Sequence, residues 1–110
     1  MRRRGRIGLL RRRLRLLEPV DVPDGVGGLE RTWVERARPW ARVRPARRRE
    51  TVEGGRPVGL LVHRIVLRRR DDVASGLVLA DGARRYRILT VEPEGERGDY
   101  VACLAEEETP

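Results

Sequence analysis

Residues 58–70 read VGLLVHRIVLRRR, and the reading of this stretch decides the fold. Val, Leu and Ile dominate it, side chains that suit a pleated, half-buried surface. Under a period of two, Leu61, His63, Ile65 and Leu67 share one face. Leu60, Val62 and Val66 share the other with Arg64 and Arg68. Apolar residues on both sides predict a strand that is partly covered on each.

Working outward, further short extended segments follow the same logic. On the C-terminal side, DDVASG (71–76) makes a bend. LVLADGARRYRILTV (77–91) then places two apolar arms around Asp81-Gly82, a strong hairpin signal. EPEGERGD (92–99) is an acidic loop, and YVACLAEEE (100–108) is a closing strand. On the N-terminal side, RLRLLEPV (13–20) alternates before Pro19 stops it, and DVPDGVGG (21–28) carries the marks of a turn. Residues 46–57, ARRRETVEGGRP, are polar and Gly-containing and predict a long loop.

The stretch WVERARPWARVRP (33–45) holds both tryptophans of a chain with no Phe. Their spacing of seven fits two helical turns, but Pro39 lies between them and removes a helix hydrogen bond. Two extended pieces are the better reading, ERTWVERA and PWARVRP. In the second, Trp40, Arg42 and Arg44 share one side, while Ala41 and Val43 share the other. Trp40 then lies among Arg stems, a setting for cation–π contact or for a subunit interface. The plainer reading, that Trp33 and Trp40 cap a small core, stands beside it. Five or six strands with turns at this spacing predict an all-β barrel or sandwich with little helix.

Length and charge narrow the function. The chain has 110 residues, room for one domain with one modest core. With 39% apolar and 38% charged residues, a lone subunit is marginal, so association with partners is expected. The net charge of +8 is not spread evenly. Residues 1–17 contain eight Arg and no acid, whereas the rest balances 17 Arg against 17 acids. The partition is a basic N-terminal arm (1–12), a domain (13–108) and a short tail (109–110). Such an arm contacts nucleic acid or an acidic partner. No apolar run approaches the about 20 residues of a membrane span, and Arg11 to Arg13 with Arg15 interrupt any signal-peptide core. Cys103 is the only cysteine and His63 the only histidine; both sit mid-strand among apolar residues, and no metal or CxxC spacing exists. No cofactor and no enzymatic activity are expected.

The order GGLERTWVERARPWARVRP, RRRE, VHRIVLRRR, DGARRYRILTVEP and YVACLAEEE resembles the phage head–tail joining family. These are the small stopper, or head-closure, proteins of long-tailed phages and gene transfer agents. Gly27, Gly28, Trp33, Trp40, Ala41, Val43, Pro45, Glu50, His63, Ile65, Leu67, Arg68, Gly82, Tyr86, Ile88, Tyr100 and Glu106 fall in step with that family's pattern. The match spans roughly residues 13–108, and the Arg arm is an addition to it.

The resemblance implies a non-catalytic β-barrel that assembles into a ring, commonly a hexamer. It implies a place in the particle neck, between the portal and adaptor ring and the tail terminator or tail tube, after assembly in the bacterial cytoplasm. It also implies a loop that projects into the DNA channel. Residues 46–57 are the candidate for that loop, with Arg47, Arg48, Arg49, Glu50, Glu53, Gly54, Gly55 and Arg56 near genomic DNA through non-specific contacts at most. Interface candidates are Trp33, Trp40, Arg42, Arg44, Glu106, Glu107 and Glu108. Arg-rich 36–49, with seven Arg and no acid, is set to oppose the acids of 92–99 or 106–108 on a neighbour. A small basic nucleic-acid-binding barrel is the alternative; it explains the arm but not the acidic C-terminus.

Overall fold

The computed structural model describes residues 10–108, with side chains described outside 47–53 and 56–60. The basic arm before Leu10 and the two-residue tail therefore lie outside the described residues. Eight strands follow in order: β1 (Arg12–Arg13), β2 (Arg15–Pro23), β3 (Leu29–Ala37), β4 (Trp40–Glu53), β5 (Arg56–Arg68), β6 (Val78–Asp81), β7 (Arg84–Glu94) and β8 (Tyr100–Glu108). No helix occurs among the described residues. The all-β expectation holds.

The expected five- to six-stranded closed barrel does not. The eight strands form one antiparallel sheet in the order β1-β4-β5-β8-β7-β6-β2-β3. Barrel closure needs a ladder between the end strands, and none links β1 to β3. The curl comes instead from chain continuity. Only Leu14 separates β1 from β2, yet β1 pairs with β4 (Arg13↔Trp40) and β2 pairs with β6 (Leu16↔Leu79). One segment thus serves opposite parts of the ladder, with Leu14 fully buried at the switch and its N–H donating to the Pro39 carbonyl at 3.0 Å.

The curl encloses a single main core. Leu14, Leu16, Ala41, Ile65, Leu67, Leu79, Tyr86, Ile88, Cys103 and Ala105 are its most buried members. The alternation read along residues 61–67 survives in this packing: His63, Ile65 and Leu67 turn inward. Val66 turns outward and is still covered, because Leu10 packs on it together with Ala102 and Tyr100. Trp33 covers a second outer patch formed by Leu17, Val78 and Ala80. Two outer patches are therefore dry because the N-terminal segment or β3 lies over them.

Beyond the core the strands run on as two-stranded ribbons. β8 pairs with β5 only from Val62 onward, so residues 47–53 and 56–61 have each other alone. The predicted loop 46–57 is corrected to this hairpin, paired from Arg47↔Val62 to Glu53↔Arg56, about 20 Å of strand. Gly54 and Gly55 form its two-residue loop with φ of 59° and 80°, the left-handed values that a type I′ turn requires at both positions. Ala46 is skipped in the ladder between Pro45 and Arg47, a bulge where β4 leaves the body. The second ribbon is Glu18–Pro23 with Leu29–Val34, since β2 meets β6 only at residues 15–17.

The core assignment carries a stability prediction. Leu16→Ala is expected to lower unfolding free energy by about 2–5 kcal/mol, a large share of the about 5–15 kcal/mol typical of a domain. Val26→Ala, at a site 86% exposed, is expected to stay within about 0.5 kcal/mol. Urea denaturation followed by tryptophan fluorescence checks both, and equal midpoints for the two variants contradict this core.

Candidate functional site

The predicted surface residues fall into three places. The first is the acidic end of β8, which the fold sets beside the arginines of β7. Register places Arg85 opposite Glu108 and Arg87 opposite Glu106. Arg87 donates to Glu106 at 2.6 Å and Arg85 to Glu108 at 3.4 Å on one face, while Arg84 reaches Glu107 at 3.6 Å from the turn. Cross-strand pairs of opposite charge add modestly to sheet stability. The run Glu106 to Glu108 thus has partners within its own chain.

The second place is the pair of tryptophans. Trp33 is half-buried on its outer patch with the Arg85 guanidinium 4.9 Å from the ring centroid. Trp40 is 51% exposed, with Arg13 stacked 5.4 Å from its ring. The inward and outward sides of 40–43 are as the sequence implies: Ala41 is fully buried and Val43 packs on the core, while Trp40 turns out. Arg42 is partly buried and Arg44 exposed. The stacking partners, Arg13 and Arg85, are distant in sequence and carry no local signal that pairs them with a Trp. The structure also opens a cleft of about 500 Å³ lined by Leu10, Arg38, Pro39, Trp40, Arg68 and Arg70, which sequence reasoning missed. It forms where the chain turns at Pro39 and where Leu10 crosses the outer face of β5.

The third place is the β4–β5 ribbon. Gly54 and Gly55 occupy its tip and are exposed. The side chains of Arg47, Arg48, Arg49, Glu50, Glu53 and Arg56 lie outside the described set, so their place is given by the backbone: on a ribbon that projects from the sheet.

The buried titratable residues have structural settings. Burial pushes the Cys103 thiol up to about 12, the opposite of the depressed value a nucleophilic cysteine needs. His63 is buried with its ring edge against Tyr86, 4.9 Å between centroids, and its Nε2 is 3.6 Å from Glu107. Burial holds its pKa below the ordinary value; Glu107 opposes the shift, and Arg84 and Arg12 add to it. Among the described residues no group of three or more His, Cys, Asp or Glu is placed to hold a metal ion.

A depressed folded-state histidine means that the unfolded chain takes up its proton first. The associated stability is complete above the unfolded value of about 6.5 and is lost as pH falls below it. Wild type is therefore expected to lose more stability between pH 7 and pH 5 than His63→Gln. Urea midpoints at the two pH values measure this, and parallel losses show a histidine that ionises freely in the folded state.

The protein solved in the virion of a native gene transfer agent particle is similar at 31% identity, covering 98% of each chain, with a TM-score of 0.73. Protein SF1141 from Shigella flexneri 2a, known from a solution structure, shares the fold at a TM-score of 0.69 and 19% identity, covering 96% of this chain and 98% of its own. No curated relative matches. Residues 5–108, nearly the whole chain, match the phage head completion protein family. With its core, its ladder and almost all its length accounted for by that match, this chain belongs to the phage head completion proteins, structural components of the virion rather than enzymes.

Proposed function

We propose that the protein is a stopper-type connector in the neck of a phage or gene-transfer-agent particle. In this reading identical copies form a ring, most simply a hexamer, that joins the portal–adaptor complex to the tail. The β4–β5 ribbon projects into the DNA channel and gates it. The observation that carries the reading is end-to-end similarity, 31% identity over 98% of both chains, to a protein of a gene transfer agent virion.

The ribbon supports the gate in physical terms. A two-stranded hairpin alone in water is marginal; surrounded by copies of itself it gains neighbours. Its tip is Gly54-Gly55, narrow enough for several copies to converge on an axis. Its flank carries Arg47, Arg48 and Arg49, so any contact with packaged DNA is to phosphate and weakens with salt. A gate that must release DNA quickly is better served by steric closure than by tight binding, and the ring multiplies every contact by its subunit number.

Replacing Glu50–Gly59 with Asn-Gly trims the ribbon and leaves the Arg49↔Leu60 pair in register. Particles carrying the trimmed chain are expected to package DNA but to lose it, measured as nuclease-sensitive DNA after head filling. Full retention of packaged DNA by such particles rules out the ribbon as the gate. Absence of the wild-type chain from purified particles rules out the neck role altogether.

A further inference from the structure

The β2–β3 ribbon ends in an apolar tip that no described residue covers. Val26 is 86% and Leu29 69% exposed. The tip is nonetheless well formed: the Asp24 carboxylate accepts the N–H groups of Val26 and Gly28 at 2.9 and 3.0 Å, and Asp24 N–H donates to the Gly28 carbonyl at 3.1 Å. Asp24 and Glu30 make it acidic, and Glu30 has no ion-pair partner among the described residues. A rigid loop that presents two aliphatic side chains to water costs solvation free energy for no internal gain.

At the other end of β3 lies a surface of the complementary kind. The cleft at Pro39 is walled by Leu10, Pro39 and the half-exposed Trp40, with Arg38, Arg68 and Arg70 around it. Arg38 and Arg70 are paired with Glu35 and Asp72, whereas Arg68 has no ion-pair partner among the described residues. An acid-flanked apolar tip thus stands at one end of β3, and an apolar cleft ringed by arginines lies at the other. Leu29 and Arg38 are nine residues apart along an extended strand, about 30 Å, so no copy can reach its own cleft.

We infer that the Val26–Leu29 tip of one copy docks in the Trp40 cleft of the next. The contact joins two different faces of the same chain, the heterologous kind whose repetition closes a ring. Val26 and Leu29 lie against Trp40, Pro39 and Leu10, and Glu30 reaches Arg68 at the rim. This inference rests on the ring proposed above and names the surfaces that build it.

Cysteine pairs placed on the two surfaces test it in assembled particles. Val26→Cys with Arg68→Cys is the first pair and Glu30→Cys with Arg68→Cys the second, so the result does not hang on the loss of Val26. Buried Cys103 stays silent. Mild oxidation followed by non-reducing electrophoresis is expected to give a ladder of multiples of the subunit mass from either pair, and none from the single variants. Only monomer from both pairs, in particles that contain the chain, overturns the docking and leaves the neck role standing. A cross-link to a protein of another mass overturns it too, by identifying a different occupant. Particles that lack even the wild-type chain overturn the neck role, and the docking with it.

Discussion

The fold depends on a core too small for its strands. Tyr86 is the only aromatic side chain fully buried in it, and the remainder is Leu, Ile, Val, Ala and one Cys. That volume covers the middle of each long strand and no more. The sheet wraps around it because residues 12–17 pair at both sides of the ladder, and the length left over emerges as ribbons. Dispersion and burial thus hold a compact centre, while the extremities extend beyond it as paired strands. On the proposed reading, those extremities are the working parts.

Charge follows the same division. Across the described strands, arginines and carboxylates are matched strand to strand: Arg36 with Glu18, Arg31 with Asp21, Arg64 with Glu94, and the β7 arginines with Glu106 to Glu108. Exposed pairs of this kind contribute little stability each; their effect is to leave the body without a strong field of its own. The acidic C-terminus therefore offers a neighbour less than its sequence suggests, since its partners are already supplied. Among the described surfaces, the inferred docking of the Val26 tip in the Trp40 cleft needs little long-range charge.

Much of the centre was legible in the sequence, and for a definite reason. Ile65 and Leu67 alternate with outward neighbours because one face of β5 meets the core, and Ala41 and Val43 do the same in β4. Gly82 sits at the first position of the β6–β7 turn with φ of 61°, where a hairpin wants glycine. The β4–β5 ribbon was hidden because its polar, Gly-containing sequence ARRRETVEGGRP carries no apolar alternation to read. Closure was equally hidden. Period reports which face a residue occupies and says nothing about which strands stand at the ends of the ladder. The Trp40 cleft depends on Leu10, Pro39 and Arg68 meeting across the fold, a juxtaposition no window of sequence contains.

The two ribbons differ in a way that bears on how a ring of this protein assembles and then works. The β2–β3 ribbon is laced by Arg36–Glu18 and Arg31–Asp21 and closed by the Asp24 turn, so it is preorganised, which lowers the ordering cost of docking. The β4–β5 ribbon turns on Gly54-Gly55, the residue type that loses most conformational freedom on ordering. A preorganised arm suits a contact that must form once and hold. A ribbon that turns on two consecutive glycines suits, on the proposed reading, a part that must change position when DNA passes. On the proposed reading, the same constraint, a core too small for its strands, yields both a clamp and a gate, and the turn residues decide which ribbon becomes which.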